Sequence, residues 1–311
     1  MPQSPDEKPL RLGTRGSKLA AAQATMVRGL LQMAGNACDL VIVKTSGDRI
    51  QDRSLADAGG KGLFTKELED ALLDGRVDLA VHSMKDVPVD LPAGLALAAL
   101  LPRADPRDAF LSHKAAVLAD LPEGARMGTS SVRRRAQLLR ARPDLKIGLL
   151  RGNVDTRLGQ LDSGAFDAIL LAYAGLKRLE LGARATSLLA PEDWLPALAQ
   201  GAVGIEIRED DANARAAVAA LDDPATSVVL ACERAFQAAL DGSCRTPIAG
   251  LAQYADGVLK FRGEVLSPDG RDFVETGFET ALRTDALRHA AERGREAGLA
   301  IKPRAAAWLA L

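Results

Sequence analysis

Aromatic side chains make up only 4% of this 311-residue chain, and histidine and cysteine occur three times each. So small a supply of Phe, Tyr and Trp leaves the core to Leu, Ala, Val and Ile. It also leaves no surplus of flat faces on which bases or sugars would stack. The formal net charge is -1, so no global positive field draws the protein to nucleic acid or anionic lipid. No uninterrupted apolar run approaches the ~18 residues of a membrane span. The opening Met1-Pro2-Gln3-Ser4-Pro5-Asp6-Glu7-Lys8 is polar and carries acids, unlike a secretion signal. A cytoplasmic protein that engages neither membrane nor nucleic acid is expected. Cys38, Cys232 and Cys244 include no CxxC pair and have no His at metal-ligand spacing. A disulfide framework, a structural zinc and any other metal site are therefore not expected, and at least one thiol must be free.

What is present is an ordinary globular balance, 47% hydrophobic and 26% charged, over a length that favours two or three domains. Residues 10–14 read as a strand, followed by Leu19, Ala22, Met26, Leu30 and Met33 at helical spacing. A strand at 40–44, a helix marked by Phe64, Leu68, Ala71 and Leu72, and a buried strand at 78–82 continue the rhythm. Such βαβ alternation predicts a parallel sheet covered on both faces. Pro102-Arg103-Ala104-Asp105-Pro106 breaks it as a linker. A second α/β set follows, with strands at 126–128, 146–150 and 166–172 and helices at 131–142 and 153–161. Residues 192–201, with Trp194 and Pro196, suggest a second crossing segment, and two lobes so joined would form a hinged cleft. After Asp223-Pro224, Val229, Cys232, Phe236, Ala239 and Leu240 make one helical stripe. Leu259, Phe261, Gly263 and Val265 then alternate with polar residues at the period of a half-exposed strand. With the turn Ser267-Pro268-Asp269-Gly270, a strand at 273–278 and a helix from Thr284, this reads as a small α+β domain with an antiparallel sheet.

Three constellations carry chemistry. The first is one device used three times, a strand leading through a small polar turn with a cation into a helix: Thr14-Arg15-Gly16-Ser17, Gly128-Thr129-Ser130-Ser131-Val132-Arg133-Arg134, and Arg151-Gly152-Asn153-Val154-Asp155-Thr156-Arg157. Helix N-termini offer free N–H groups to anions, and the dipole adds roughly 0.3–1 kcal/mol. Charge-assisted Arg hydrogen bonds of about 1.5–3 kcal/mol each would make a site for a small polyanion. Each arginine taken singly reads equally well as a solvated surface residue. The second is Val81-His82-Ser83-Met84-Lys85-Asp86-Val87-Pro88, where an apolar strand runs into a charged pair and Pro88 stops any helix. Lys85 would neutralise a substrate carboxylate while Asp86 stabilises a developing cation or moves a proton; the bland alternative is a surface pair worth roughly 0–1 kcal/mol. His82 reads as a satisfied core histidine. The third is Cys244 in Asp241-Gly242-Ser243-Cys244-Arg245-Thr246-Pro247, among turn formers with a cation adjacent. It is either a chemical thiol or an inert loop residue; Cys232 lies on the apolar stripe, and Cys38 has no activating neighbour.

Along nearly its whole length the chain resembles the hydroxymethylbilane synthase (porphobilinogen deaminase) family. The resemblance rests on the three turn motifs and the Lys85-Asp86 segment. It also rests on Gly59-Gly60-Lys61-Gly62-Leu63-Phe64-Thr65-Lys66-Glu67-Leu68, Ala174-Gly175-Leu176-Lys177-Arg178-Leu179 and Gln200-Gly201-Ala202-Val203-Gly204-Ile205-Glu206, all in family order and spacing. It implies an α/β fold of two periplasmic-binding-protein-like lobes and a third small α+β domain. The implied boundaries are residues 1–101 with 202–219, residues 107–195, and residues 224–311. It implies a transferase of porphyrin and heme biosynthesis, a monomer, that joins four porphobilinogen units head to tail with loss of ammonia and releases the linear tetrapyrrole hydroxymethylbilane. It further implies a dipyrromethane cofactor held by thioether to Cys244, and Asp86 as the catalytic carboxylate beside the cationic azafulvene. Lys85, Thr129, Ser131, Arg133 and Arg134 would contact the cofactor; Arg15, Ser17, Arg151 and Arg157 would hold substrate, and Lys61 would lie on a loop over the cleft. Ser243, where the family usually has Gly, and Ser46, where Arg or Thr is more usual, depart from the pattern. The rival reading is a non-catalytic, two-lobed polyanion-binding protein, which needs the arginines but neither Asp86 nor a reactive Cys244.

Overall fold

A computed structural model of the protein describes residues 8–46, 62, 64–242 and 246–309. In chain order, strand β1 (Leu10–Arg15), helix α1 (Lys18–Met33), β2 (Cys38–Val43), α2 (Lys66–Leu73), β3 (Leu79–Ser83) and β4 (Leu95–Leu100) come first. Next are β5 (Asp108–Ser112), β6 (Arg126–Gly128), α3 (Val132–Ala141), β7 (Lys146–Gly148), α4 (Val154–Asp162), β8 (Ala168–Ala172), α5 (Tyr173–Arg178) and β9 (Ser187–Leu188). Then β10 (Val203–Arg208), α6 (Ala212–Val218) and α7 (Pro224–Ala239) precede β11 (Ile248–Ala255), β12 (Val258–Leu266), β13 (Phe273–Ala281) and α8 (Ala286–Leu309). These elements form two compact units. The first draws its described residues from 8–46, 62–104 and 202–227, the second from 105–201 and 228–309.

The first unit is built on a sheet of order β2-β1-β3-β10-β4. β1 runs parallel to β2 and β3, whereas β10 is antiparallel to β3 and β4. Helices α1 and α6 cover one face, where Val27 and Leu31 meet Leu12, Val81 and Ile205. Helix α2 covers the other through Leu68 and Leu72 against Val77 and Ala80. Coverage on both faces explains why β3 and β10 are buried along nearly their whole length. Helix α1 is turned by one residue from the face its large side chains suggest. Its buried residues are Ala20, Gln23, Ala24, Val27 and Leu31, while Met33 is 86% exposed. Alanine on the inner face lets the helix lie close to the sheet, and Gln23 is buried because its amide Nε2 donates to Ser83 Oγ at 2.9 Å.

The second unit holds a sheet of order β7-β6-β8-β5-β9, in which β6 is parallel to β7 and β8 and β5 is antiparallel to both its neighbours. It also holds the antiparallel sheet β11-β12-β13. The stripe Val229, Cys232, Phe236, Ala239 and Leu240 is buried as its spacing predicts. Helix α8 lies so close to α7 that a Cβ on Gly294 would stand 2.1 Å from the Cys232 carbonyl oxygen. Two α/β sheets and a small antiparallel sheet are the architecture expected, but both α/β sheets are mixed where the βαβ rhythm predicts parallel strands, because β10 and β5 enter antiparallel to their neighbours. The sequence pattern gave no sign of β4, β5, β9, β10 or β11.

Candidate active site

In the first unit the candidate residues gather at the carboxyl ends of two adjacent parallel strands. β1 ends at Arg15, and Ser17 caps α1, its Oγ accepting from the Ala20 N–H at 3.2 Å; such a cap is worth ~1 kcal/mol. The Arg15 guanidinium lies 4.1 Å from the centroid of the Phe64 ring, a cation–π contact that keeps the charge half-buried and pointed. Next to it, β3 ends in a single 3-10 turn, Met84–Asp86, whose Met84 N–H donates to the Ala202 carbonyl at 3.1 Å. Lys85 and Asp86 are half-buried on this turn, above a buried Met84. A carboxylate there can face a cationic intermediate while keeping access to solvent protons.

In the second unit two further turns lie side by side. β6 and β7 are parallel with Gly128 opposite Gly148, and the Thr129 N–H donates to the Gly148 carbonyl at 3.0 Å. Each strand leads to a capped helix. Ser131 Oγ accepts from the Arg134 N–H at 3.3 Å, and Asn153 Oδ1 accepts from the Thr156 N–H at 2.9 Å. Thr129 is buried, with Oγ1 accepting from the Ser131 N–H. Gly152 has φ +98° and a Cβ there would strike Thr156 at 2.7 Å, so only glycine makes this turn. Arg151 and Arg157 are half-buried, and Arg157 Nε donates to the Gly152 carbonyl at 2.9 Å.

Arg133 and Arg134 differ from the solvent-facing donors that their place in a turn suggests. They are 4% and 6% exposed and both bond Asp108, Arg133 Nη2 at 2.9 Å and Arg134 Nη2 at 2.7 Å. Trp194 Nε1 and Gln200 Nε2 donate to the same carboxylate at 2.9 and 2.8 Å. Burial alone would raise the Asp108 carboxyl's pKa; the two guanidinium charges and these donors overrule it and hold it well below the usual carboxylate range. Arg140 pairs with Glu264 on β12 at 2.7 Å, so three guanidinium groups face two carboxylates. Nε of both Arg133 and Arg134 is buried without a partner among the described residues. Three guanidinium groups against two carboxylates leave the cluster with an excess of positive charge, which favours an anion near it.

Asp108 and Glu264 carry no sequence signal, because a single acid after a linker or on a strand has no period, and Gln200 stands out only as part of its motif, without a role. Lys61, Ser243 and Cys244 lie outside the described residues. Ser46 is described, and its N–H donates to Glu67 Oε1 at 2.7 Å. Burial pushes the Cys38 thiol up to about 11 and the Cys232 thiol up further, so both behave as core residues. Among the described residues no cluster of three or more His, Cys, Asp or Glu could hold a metal, and no helix is long and apolar enough to cross a membrane.

A family model described as "Porphobilinogen deaminase, dipyromethane cofactor binding domain" matches residues 10–216, and "Porphobilinogen deaminase, C-terminal domain" matches residues 228–302. A Nitrobacter hamburgensis protein named porphobilinogen deaminase is 53% identical over 289 residues, 92% of this chain and 91% of that protein. One of the same name from Paracoccus denitrificans is 50% identical, covering 88% of this chain and 89% of its own length. A nutrient binding protein from Burkholderia cenocepacia bound to methionine is similar at TM-score 0.43 and 16% identity, over 70% of this chain and 93% of its own. That likeness is too distant to bear on function.

Proposed function

The chain belongs to the porphobilinogen deaminase family, and from that premise we propose that Asp86 is its catalytic carboxylate and Cys244 the anchor of its cofactor. The enzyme polymerises porphobilinogen into hydroxymethylbilane and uses a dipyrromethane cofactor. When bound, that group supplies a growing end to which substrate is joined. The Asp86 carboxylate, half-buried on its turn, stabilises the cation left on substrate as ammonia departs. It would then accept the proton that the attacking pyrrole carbon must lose as the new C–C bond forms. Arg15, Ser17, Arg151 and Arg157 would bind the acetate and propionate groups of substrate, and Lys85, Thr129, Ser131, Arg133 and Arg134 those of the cofactor; Lys61 is assigned to substrate by its motif alone. Every added pyrrole brings two more carboxylates, so a wall of permanently charged, bidentate arginines is suited to the task.

The observation that carries this reading is the Met84–Asp86 turn, which sets a half-buried Lys85 and Asp86 at the end of β3, next to the strand that ends in Arg15. Both described cysteines are buried thiols with raised pKa values, which favours Cys244 as the tethering sulfur. The same reading makes the protein a cytoplasmic monomer acting on a small soluble substrate, to be checked by light scattering and cell fractionation. Intact-mass measurement of freshly purified protein is expected to exceed the polypeptide by two pyrrole units, with the addition on the peptide containing Cys244. Active protein with an unmodified Cys244 would end the proposal.

A further inference from the structure

His82 behaves as a core histidine in burial, but its partner gives it a second role. Nε2 lies 2.9 Å from Glu206 Oε2, with the two side chains 3% and 0% exposed. On β3, Val81 packs toward α1 and Ala80 toward α2, so His82 shares the α2 face with Ala80. On β10, Val203, Ile205 and Ile207 pack toward α1, which turns Gly204 and Glu206 to the same side as His82. The register shift in the pairing of β10 with β4 leaves the extra residue, Ala98, on β4, so β10 keeps its alternation and Glu206 stays on this side. Glu206 Oε1 is buried without a partner among the described residues, so His82 supplies the bond that holds this carboxylate. Glu69, buried on α2, faces the pair; burial raises its pKa and the Glu206 charge raises it further.

The pairing fixes more than two side chains. β10 lies against β3 with Val203 opposite Ser83 and Gly204 opposite His82. One residue further along β3, the Met84 N–H donates to the Ala202 carbonyl. Gly204 provides the seat for Met84, since a Cβ there would stand 2.2 Å from the Met84 sulfur. The turn that carries Lys85 and Asp86 therefore rests on β10, and the nearest side-chain bond between the two strands is the one from His82 to Glu206. We infer that His82 and Glu206 are positioning residues, which lock β10 to β3 in the register that seats the Met84–Asp86 turn and thereby aim the Asp86 carboxylate. The inference rests on the reading of Asp86 as the catalytic group.

The test is a double-mutant cycle on the holoenzyme, with H82N and E206Q each made alone and with D86E, and cofactor loading checked by intact mass. In the Asp86 background each variant is expected to lower kcat about tenfold with KM and loading unchanged. In the D86E background, already slowed, the same changes should cost less than about twofold, because the effect travels through residue 86. Equal losses in both backgrounds overturn the positioning role, as does no loss, or a loss confined to KM or to unloaded protein. Unchanged kcat in D86E alone overturns the reading of Asp86 instead. If H82N does not fold, E206Q, which keeps the side-chain volume and an acceptor for His82, delivers the same comparison.

Discussion

In the first unit Arg15 rests half-buried on an aromatic face, and Lys85 and Asp86 ride a three-residue turn. In the second, Arg133 and Arg134 are sunk in the interior and share one carboxylate with Trp194 and Gln200. A guanidinium clamped from several sides has little freedom left to lose when an anion arrives, so it binds with its geometry already set. A carboxylate on a short turn stays near water and can exchange protons. On the proposed reading, one unit holds a fixed charge pattern and the other carries the carboxylate that acts on the substrate.

The contrast is sharpest if the proposed catalytic carboxylate is neutralised in place. Asp86→Asn should reduce kcat by ~10²–10⁴ with an unchanged thermal midpoint, measured by ammonia release alongside a melting curve. A large fall in melting temperature would make Asp86 structural and erase the division. Asp108→Asn should do the reverse. It leaves two buried guanidinium groups uncompensated at a cost of about 3–5 kcal/mol, seen as a lowered urea midpoint, with cofactor loading reduced in step.

That loss must also depend on pH. The folded carboxyl of Asp108 is held below its unfolded value of ~3.9. Its contribution is therefore fully present above that value and drains away as pH falls through it towards the folded pKa. Urea midpoints of wild type and D108N should converge on acidification below about pH 4; curves that stay parallel would mean the charge of Asp108 is irrelevant. The smallest effect is expected at Phe64. Removing the ring with Phe64→Leu forfeits a cation–π contact of ~0.5–1 kcal/mol. KM should rise about two- to fivefold at constant kcat, and a fall in kcat instead would tie Arg15 to the chemical step.

Where a reading depended on local chemistry, it was legible. Ser17, Ser131 and Asn153 cap helices as small polar residues before apolar periods do. The α7 stripe is buried because Phe236 and Leu240 share a helix face with small neighbours. Helix α1 misled for a physical reason. Methionines and leucines recur at helical spacing on its flank, while alanine, which carries almost no hydropathy signal, makes the close contact. Sheet order was illegible too, since nothing in Val203–Arg208 says that it will insert between β3 and β4. For the same reason Glu206, though it closes a motif, gave no sign of its partner, and Asp108 carried no mark. Their partners lie 124 residues away at His82 and 25 and 26 residues away at Arg133 and Arg134, distances no short window spans.

The insertion of β10 has a consequence for how the protein is made. A ribosome delivers β3 and the Asp86 turn early, yet the strand that supports them emerges only after more than a hundred further residues. Until then β3 has an unpaired edge, a place where nascent chains associate wrongly. Closing so long a loop is slow compared with forming local hairpins or helices. The turn that bears Asp86 is therefore among the last parts of its unit to mature, and a chain interrupted before Val203 would carry Asp86 without the means to hold it in place.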